Sequence, residues 1–588
     1  MIELKGPQKT LSPAFTDEPP IALGPFKPTY ESLKAYKGVF SLAVNAFSQE
    51  IISKERQYKA DLGNGYYLNP IFKGDYGDPT LFRDGNDYYI THHSSPVNGQ
   101  SMLIWHSKDL VNWEPVCYAV KEDLGGPIWA VDFLKYKDLY YMYLPVPARG
   151  TNYVITAPSP SGPWSKPIDL KVSGIDPGHI ATPEGKRFLH VDNGYVVELA
   201  DDGLSVLTPK KKVYEGWKYP EQWIAECFCM ESPKLTYHNG YYYLTVAEGG
   251  TAGPPTSHMV VSARSKNPDG PWENSPFNPI VRNTSRTNQW WSTGHGTLVD
   301  SPDGKWWIVF HGYEKDYRNM GRQTLMLPIE WTSDGWYRVP KDVDIAKPIK
   351  KPIGTDIKSR LHLSNDFSGD KLDIFWDTYR GEESDRIQLK DNSMIMKAQG
   401  TSTINSRPIL FKPLNNSYEV DVEVNTGEKS KGGILLHYST TSSLGMELEK
   451  NTIYRLTGGV GRTKVTDVKP GDHVYLKVAN DHQDALYFYS FDRKTWKRVD
   501  FVNNLNDFGK GTLRIGLYAA GEGEVTFKNF TYKGLPAENQ AQVSESGKKV
   551  PGTVSETAEK RTYTNPVGAS PIHIGDPLVI RNNGKYYL

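Results

Sequence analysis

One pattern of polar and apolar positions is repeated five times in the first half of the chain. Each copy has a polar residue, then a short apolar stretch, a turn, and a strand opened by an aromatic residue. The copies are DPTLFRDGNDYYI, WAVDFLKYKDLYYMY, DPGHIATPEGKRFLHV, ESPKLTYHNGYYYLTV and GHGTLVDSPDGKWWIVF. Repeats about 50 residues apart are typical of a β-propeller in which each copy forms one four-stranded blade. The pattern therefore predicts a five-bladed β-propeller over residues 66–345.

The polar position of each copy carries the candidate chemistry. The innermost strands of a propeller converge on its axis, so equivalent positions of successive blades meet at one pocket. These positions hold Asp78, Asp132, Asp176, Glu231 and His295. Such a group of acids around one axis predicts an active site. Asp176, in the context IDPG, fits a catalytic role and a structural turn about equally well.

A second all-β region follows over residues 356–534. Segments such as SYEVDVEVNT and HVYLKVAN alternate apolar and polar residues, and Gly, Asn and Asp turns separate them. Many short antiparallel strands without helical periodicity predict a β-sandwich of the lectin-like jelly-roll kind. The predicted fold class is therefore all-β, a five-bladed β-propeller followed by a β-sandwich.

The flanking segments differ from these two regions. Residues 1–65 are rich in Pro and Lys, and we expect an N-terminal arm packed on the propeller. Residues 535–560 are polar without apolar periodicity, which predicts a flexible linker. Residues 561–588 repeat the start of the first blade, since Asp576 precedes Tyr586 by the spacing that separates Asp78 from Tyr88. This predicts the truncated start of a second propeller.

Charge and hydropathy narrow the choice of partners. Lys+Arg 68 balances Asp+Glu 68, so we expect neither a nucleic-acid nor a membrane partner. The chain lacks an apolar run of about 18 residues, and its first residues do not resemble a signal peptide. We expect a soluble protein, periplasmic or extracellular if a signal peptide has been removed and otherwise cytoplasmic. Cys117, Cys227 and Cys229 match no metal-site spacing and are expected to be buried free thiols.

Taken together, the ordered motifs resemble glycoside hydrolase family 43. The motifs are GDYGDP with DYY, WAVD, ESPKL with AEGGT, GHGTLV with WWIVFHGY, and GRQTL. The resemblance covers about residues 66–345, and the sandwich is similar to the C-terminal module of the family's β-xylosidase branch. It implies an inverting, exo-acting hydrolase that releases terminal β-D-xylose from xylan-type plant cell-wall oligosaccharides. An α-L-arabinofuranosidase, or an enzyme with both activities, is the close alternative.

The resemblance also implies roles for three acidic residues. Asp78 matches the family's general base and Glu231 its general acid. Asp132 matches the aspartate that orients the acid and tunes its pKa. Two departures from the family pattern are Val131, where proline is usual, and Ser232, where glycine is usual. Glycoside hydrolysis by inversion requires one carboxyl to be ionised and the other to be protonated.

Four other residues are expected around the substrate. The resemblance implies that Arg322 contacts the terminal sugar and that His295 lies beneath the pocket, where an ion such as Ca²⁺ or a water binds. Catalysis by this family implies no required cofactor. Trp105 and Trp129 are expected to stack against sugar rings. Glu226, five residues before Glu231, is the rival for the acid role.

A function of another class also fits a propeller joined to a lectin-like sandwich. Such a chain could be a carbohydrate-binding protein without turnover. The repeated acids count against this alternative, because a binding site gains nothing from carboxyls that need opposite protonation states.

Overall fold

The computed structural model describes residues 57–93, 101–357, 361–377, 385–509, 511–535, 580–582 and 585–587. Most of the predicted N-terminal arm and all of the segment from residue 536 to 579 lie outside the described residues. The arm and the linker therefore stay predictions.

Five antiparallel sheets follow one another along residues 80–338, one for each sequence repeat. A short strand, β1 (Tyr66–Tyr67), precedes them. The first blade contains β2 (Thr80–Asp84), β3 (Asp87–Thr91), β4 (Ser101–Ser107) and β5 (Glu114–Val120), and the second contains β6 (Asp132–Tyr136), β7 (Leu139–Val146), β8 (Thr151–Ala157) and β9 (Ile168–Asp169). The third contains β10 (Gly178–Ala181), β11 (Arg187–Val191), β12 (Tyr195–Leu199) and β13 (Lys211–Lys212).

The fourth blade carries one additional strand, which pairs with its third strand. It contains β14 (Met230–His238), β15 (Tyr241–Glu248), β16 (Met259–Ser265), β17 (Glu273–Asn274) and β18 (Val281–Arg282). The fifth contains β19 (Trp290–Asp300), β20 (Trp306–Glu314), β21 (Arg322–Trp331) and β22 (Tyr337–Arg338), and β23 (Ile349–Lys350) follows it. Short 3-10 helices occupy Pro147–Arg149, Asp192–Gly194 and Arg318–Met320.

Main-chain hydrogen bonds between the segment before the first blade and the last blade close the ring. The Ile71 N–H donates to Thr324 O over 2.8 Å, and the Tyr76 N–H donates to Arg322 O over 2.8 Å. Strand β1 also pairs with β23. These bonds hold the chain just before Asp78 against the start of β21, so residues distant in sequence become neighbours at the axis.

Thirteen further strands form the sandwich in two facing sheets. They are β24 (Ile387–Lys390), β25 (Ser393–Lys397), β26 (Ile409–Phe411), β27 (Tyr418–Thr426), β28 (Ser430–Ser439), β29 (Ser442–Glu449), β30 (Thr452–Thr457), β31 (Gly461–Asp467), β32 (Val474–Asp481), β33 (Asp484–Ser490), β34 (Lys497–Asn504), β35 (Arg514–Gly521) and β36 (Glu524–Gly534). The sheet orders are β24-β25-β36-β27-β32-β33-β34 and β26-β35-β28-β29-β30-β31. The predicted all-β fold class is confirmed.

The sandwich core follows from the alternation seen in the sequence. Val420 and Leu476 of one sheet and Ile434 and Leu436 of the other are fully buried in one apolar cluster. A single α-helical turn among the described residues, α1 (Leu505–Phe508), covers the edge of this core. No helix in the described part of the chain has the length and apolarity needed to cross a lipid bilayer.

The sandwich contacts the propeller through polar side chains. Asn319 donates to Gln483 Oε1 over 2.7 Å and accepts through its main-chain oxygen from the Leu513 N–H, also over 2.7 Å. Tyr118 donates to Asp377 Oδ1 over 3.0 Å. These contacts lie beside the segments that carry Asp78 and Arg322, so the sandwich supports one wall of the axial region.

Residues 537–588 form a separate unit, of which two short strands are described. Strands β37 (Ile580–Asn582) and β38 (Lys585–Tyr587) pair antiparallel, with Ile580 opposite Tyr587. A strand pair at this place agrees with the repeated blade-opening motif, and a second propeller stays a prediction.

The cysteines differ from the expectation of three free thiols. The sulfurs of Cys227 and Cys229 are joined in a disulfide on the loop before β14, and Cys227 is exposed. Cys117 is free and half-buried. The chain bends between the two cysteines, which brings their Cα atoms to 5.2 Å and the two sulfurs within bonding reach.

Candidate active site

The polar residues of the five repeats sit where each innermost strand begins or bends. Asp78 and Asp176 immediately precede β2 and β10, and Asp132 is the first residue of β6. Glu231 is the second residue of β14, and His295 lies within β19. Asp78, Asp176, Glu231 and His295 come together at the axis, while Asp132 faces a lysine below them.

Four blades share an unusual backbone conformation at or next to this position. The φ angles are 55° at Asp78, 53° at Asp176, 57° at Ser232 and 60° at His295. Residues other than glycine seldom adopt this left-handed region, which costs about 1–3 kcal/mol and is found preferentially at functional sites. Its recurrence in four blades indicates that the inner strand ends are shaped for the site rather than for regular pairing.

Nitrogen atoms of one arginine and two histidines surround the carboxylate of Asp78. Arg322 Nη1 donates to its Oδ1 over 2.6 Å, and Nδ1 of His311 and Nδ1 of His295 lie 3.0 Å and 3.3 Å from the same oxygen. Burial alone would raise the pKa of Asp78, but the Arg322 charge and the two imidazoles outweigh it and hold that pKa well below its usual range. Asp78 is therefore ionised at neutral pH, as a general base must be.

Glu231 has the opposite electrostatic environment. Its side chain is 24% exposed, and His258 Nε2 lies 3.4 Å from its Oε1. Burial, followed by the negative charge of Asp78, raises the pKa of Glu231 to about 7. Glu231 therefore keeps its proton up to neutral pH, as a general acid must.

Asp176 lies next to Glu231. Oxygens of the two carboxyls and a nitrogen of His295 all lie within 4.8 Å of one another. Asp176 Oδ2 accepts from the Ser232 N–H over 3.2 Å, which ties it to the residue after Glu231. Burial and the charge of Glu231 raise the pKa of Asp176 well above its usual range. Two carboxyls this close resist being ionised together, so the pair retains a proton at neutral pH.

The surroundings of Asp132 contradict its predicted role as the residue that tunes Glu231. Lys234 Nζ donates to Asp132 Oδ1 over 2.9 Å and to Val131 O over 2.7 Å, and Asp132 Oδ2 accepts from the His179 N–H over 2.7 Å. Its carboxylate is thus neutralised by a buried lysine and joins the second blade to the third and fourth. The residue beside Glu231 is Asp176.

The two tryptophans predicted to stack against sugar rings lie in different environments. Trp105 is only 2% exposed and packs edge-on against Phe72 and Tyr76 in the core of the first blade. The prediction that Trp105 contacts substrate is therefore wrong. Trp129 is 46% exposed on the segment that leads into β6, so its contact with substrate stays a prediction. The rival acid Glu226 is exposed in the loop before β14 and accepts from the Ala252 N–H over 2.9 Å.

Three buried residues at the site were not found from the sequence. They are Lys234, His258 and His311. Each is a polar residue inside an otherwise apolar strand segment, in SPKLTY, SHMVVSA and IVFHGY. A buried polar residue costs free energy unless it is paired, so an isolated polar residue in such a run is the signal that would have found them.

The axial residues supply few oxygen ligands for a calcium ion near His295, and an ion there stays a prediction. The sets whose ligand atoms lie within 4.8 Å of one another are Asp78 with His295 and His311, and Asp176 with Glu231 and His295. Calcium takes about 6–8 oxygen ligands, whereas these sets offer imidazole nitrogens and few oxygens. The carboxylate of Asp78 is also already neutralised by Arg322.

Comparisons with known proteins agree with this site. The profile of Glycosyl hydrolases family 43 matches residues 67–337. A xylan 1,3-beta-xylosidase of Vibrio sp is 30% identical over 494 residues, 73% of this chain and 90% of that protein. A beta-xylosidase of Bacillus subtilis strain 168 is 25% identical over 518 residues, 77% of this chain and 94% of that protein.

Further similarity is found to an arabinofuranosidase and to a crystal structure. The non-reducing end alpha-L-arabinofuranosidase BoGH43B of Bacteroides ovatus is 28% identical over 372 residues, 58% of this chain and 67% of that protein. The GH43 BlXynB protein from Bacillus licheniformis superposes with a TM-score of 0.71 at 24% identity, covering 80% of this chain and 99% of that one. With a family profile over the propeller, a relative matched over nearly its whole length and two acids held in opposite protonation states, this chain belongs to glycoside hydrolase family 43.

Proposed function

We propose that this glycosidase is an inverting, exo-acting enzyme that releases terminal β-D-xylose from xylan-type plant cell-wall oligosaccharides. The observation that carries the proposal is the contrast between Asp78 and Glu231. Within one axial site, Asp78 is held ionised by Arg322, whereas burial and nearby negative charge raise the pKa of Glu231 to about 7. An enzyme that adds water across a glycosidic bond needs this pair of states.

In the proposed reaction, Asp78 takes a proton from the attacking water. Its Oδ1 is occupied by Arg322 and by two imidazoles, whereas Oδ2 has a longer contact, with His93 Nδ1 at 3.6 Å. Oδ2 is therefore the oxygen available to the water. The water oxygen bonds to the anomeric carbon as the bond to the leaving oxygen breaks, and configuration inverts.

Glu231 gives its proton to the leaving oxygen at the same time. As that proton leaves, the new negative charge lies beside Asp176, and this destabilises the spent acid and favours its reprotonation. We therefore assign to Asp176 the role of tuning the pKa of Glu231, which the family resemblance had implied for Asp132. The hydrogen bond from the Ser232 N–H to Asp176 holds the Asp176 carboxyl next to that of Glu231.

Arg322 contributes in two ways. It keeps Asp78 ionised, and its planar guanidinium has further donors for adjacent sugar hydroxyls. Its position depends on Gly77, because a Cβ at that residue would lie 2.8 Å from Arg322 Nε. Asp75 Oδ1 accepts from the Arg322 N–H over 3.3 Å, which fixes the backbone beneath the guanidinium.

The place of the sandwich supports exo action. Thr512 of the sandwich lies against Asp75, with Oγ1 donating to Asp75 Oδ2 over 3.2 Å. Arg514 and Lys412 of the sandwich help to hold the pKa of buried Asp75 far below its usual range, against the effect of burial and together with His93. A second domain packed against this wall closes one side of the axial region, as expected for a pocket that accepts a chain end.

The identity of the pentose is proposed from the relatives. Two of them are named beta-xylosidase and xylan 1,3-beta-xylosidase, and one is named an arabinofuranosidase. Xylose is the first choice because the two xylosidases are matched over 94% and 90% of their length, against 67% for the arabinofuranosidase. Release of α-L-arabinofuranose is the second candidate.

Paired assays test this choice. The initial rates on 4-nitrophenyl β-D-xylopyranoside and 4-nitrophenyl α-L-arabinofuranoside are compared, and sugars released from xylan, arabinan and arabinoxylan fragments are identified. We expect xylose as the main product and a higher kcat/KM on the xyloside. Arabinose as the main product would replace the first candidate with the second, and internal cleavage products would contradict exo action.

A further inference from the structure

Two buried histidines connect the proposed acid with the proposed base. His258 immediately precedes β16, and His311 lies in β20 of the neighbouring blade. Both side chains are fully buried. His258 has no role in the reaction as described so far, and His311 only helps to keep Asp78 ionised, although a buried polar ring needs partners to offset its desolvation.

The contacts of the two rings form one series, in which the Glu231–His258 contact is close but is not a hydrogen bond in this structure. His258 Nε2 lies 3.4 Å from Glu231 Oε1, and His258 Nδ1 lies 3.3 Å from His311 Nε2. His311 Nδ1 lies 3.0 Å from Asp78 Oδ1. Thr251 Oγ1 is a side contact, 3.1 Å from His311 Nε2. The two imidazoles therefore span the interior route between the two carboxyls.

Both rings are neutral around pH 7. Burial, together with the neighbouring His311 ring, lowers the pKa of His258 well below its usual range, and burial lowers the pKa of His311 to about 4. A neutral imidazole donates from one nitrogen and accepts at the other. A series of two such rings can therefore be hydrogen-bonded in either of two directions.

The first direction matches the enzyme before reaction. Protonated Glu231 donates to His258 Nε2, His258 Nδ1–H donates to His311 Nε2, and His311 Nδ1–H donates to ionised Asp78. Each proton of this series has an acceptor and both ends carry the charge that the reaction needs, although the Asp78 main-chain N–H then lacks its acceptor at His311 Nδ1.

The second direction matches the enzyme after reaction. His258 Nε2–H donates to ionised Glu231, and His311 Nε2–H donates to His258 Nδ1. His311 Nδ1 then accepts, either from the Asp78 main-chain N–H at 3.1 Å or from a protonated Asp78 carboxyl. An ionised Asp78 would instead face a lone pair, so this direction favours Asp78 with its proton.

We propose that His258 and His311 are positioning residues whose hydrogen-bond direction couples the protonation of Glu231 to that of Asp78. The pair favours the two states in which the carboxyls hold one proton between them. When Glu231 loses its proton to solvent, the rings adopt the second direction and His311 Nδ1 accepts from the Asp78 main-chain N–H. This inference deepens the proposed function and rests on its assignment of Asp78 and Glu231.

Other ionisable groups act on the same series and are held constant in the test. The groups that face it are Arg322, His295 and His93 around His311, and Asp176, Glu226, Asp192 and Arg322 around Glu231. The strand opposite is shaped to admit the ring, because a Cβ at Gly294 would lie 2.4 Å from His258 Cδ2. Glycine at this position is what allows His258 to lie between the blades.

The test follows the tautomers of the two rings directly. Nitrogen NMR of protein labelled with ¹⁵N-histidine distinguishes Nδ1–H from Nε2–H, and His258→Gln and His311→Gln assign the signals. From pH 5.5 to 8.5, we expect both rings to change together from Nδ1–H to Nε2–H as Glu231 loses its proton, at a pH of about 7. In Glu231→Gln, whose side-chain amide does not titrate, the change should vanish.

Two NMR results would overturn the proposal. One is a pair of rings that keep the same tautomers throughout the pH range in the wild type. The other is a tautomer change that persists in Glu231→Gln. Neither result depends on the substrate, so failure of this inference is distinct from failure to hydrolyse a xyloside.

A kinetic comparison separates coupling from local support of Glu231. His258→Gln keeps a polar group near Glu231 but loses the contact with His311, and His258→Phe loses both. Loss of one hydrogen bond that matters in the transition state costs about tenfold in rate. If coupling is required, both variants lose about tenfold or more in kcat with KM little changed. Full kcat in His258→Gln would contradict coupling.

Discussion

Replacing Glu231 with glutamine tests the assignment of the acid most sharply. Glutamine keeps the shape of the side chain but cannot donate a carboxyl proton. Loss of a general acid costs about 10²–10⁴-fold in rate when the leaving group needs protonation. The pKa of about 7 at Glu231 adds a pH signature, since the protonated fraction falls about tenfold for each pH unit above it.

The assay measures kcat/KM from pH 5 to 9 on two substrates. Phenyl β-D-xyloside has a poor leaving group, and 2,4-dinitrophenyl β-D-xyloside has a good one that leaves without a proton. On the phenyl substrate, we expect the wild type to lose activity above about pH 7. We expect Glu231→Gln to be slower than the wild type on this substrate by about 10²–10⁴-fold. On the dinitrophenyl substrate, the variant should approach the wild type and the alkaline decline should disappear.

Glu226→Gln is the matched control. Glu226 lies on an exposed loop, and its negative charge is a secondary cause of the raised pKa of Glu231. Its loss should therefore change kcat/KM little at low pH and move the alkaline decline on the phenyl substrate to lower pH. An equal loss on both xylosides in Glu231→Gln would refute its role as the acid. A larger loss in Glu226→Gln on the phenyl substrate would transfer that role to Glu226.

Three further predictions follow from the same contacts. Asp78→Asn should abolish turnover of every xyloside while the circular dichroism spectrum stays unchanged, and comparable activity would remove Asp78 from the mechanism. Gly77→Ala should lower kcat/KM by displacing Arg322, because the added Cβ would lie 2.8 Å from Arg322 Nε, and unchanged kinetics would show that the guanidinium position is unimportant. The raised pKa of Glu231 means that the unfolded chain loses this proton first, so folding stability falls as pH rises from about 4.3 to about 7, by an amount on the order of 3 kcal/mol. Glu231→Gln should therefore melt at a higher temperature than the wild type at pH 8 and at a similar temperature at pH 4, and equal melting temperatures at pH 8 would contradict the raised pKa.

The repeat pattern was sufficient to predict the propeller and the axial residues. Each repeat encodes the same hairpin, so one polar position per blade falls at the same place in the fold. This is why Asp78, Glu231 and His295 could be brought together from the sequence. The alternation of apolar residues in β27 and β32 likewise predicted the sandwich.

The errors concern contacts between blades, which the repeat does not encode. Asp132 occupies the repeated polar position of its blade, but its carboxylate forms a salt bridge with Lys234 of another blade. Trp105 was assigned from its residue type, whereas its strand turns the ring into the core of the first blade. His258 lies outside the repeated positions and meets His311 only after the fourth and fifth blades have packed together.

The stereochemistry of hydrolysis tests the central claim most directly. In the proposed mechanism, Asp78 activates a water molecule and forms no bond to the sugar. The carboxyls of Asp78 and Glu231 should therefore stand roughly 6.5–9.5 Å apart, and the product should have inverted configuration. Proton NMR of the first sugar released from 4-nitrophenyl β-D-xylopyranoside, recorded before mutarotation, should show α-D-xylose. First release of β-D-xylose would mean retention of configuration, and it would contradict Asp78 as base and Glu231 as acid together.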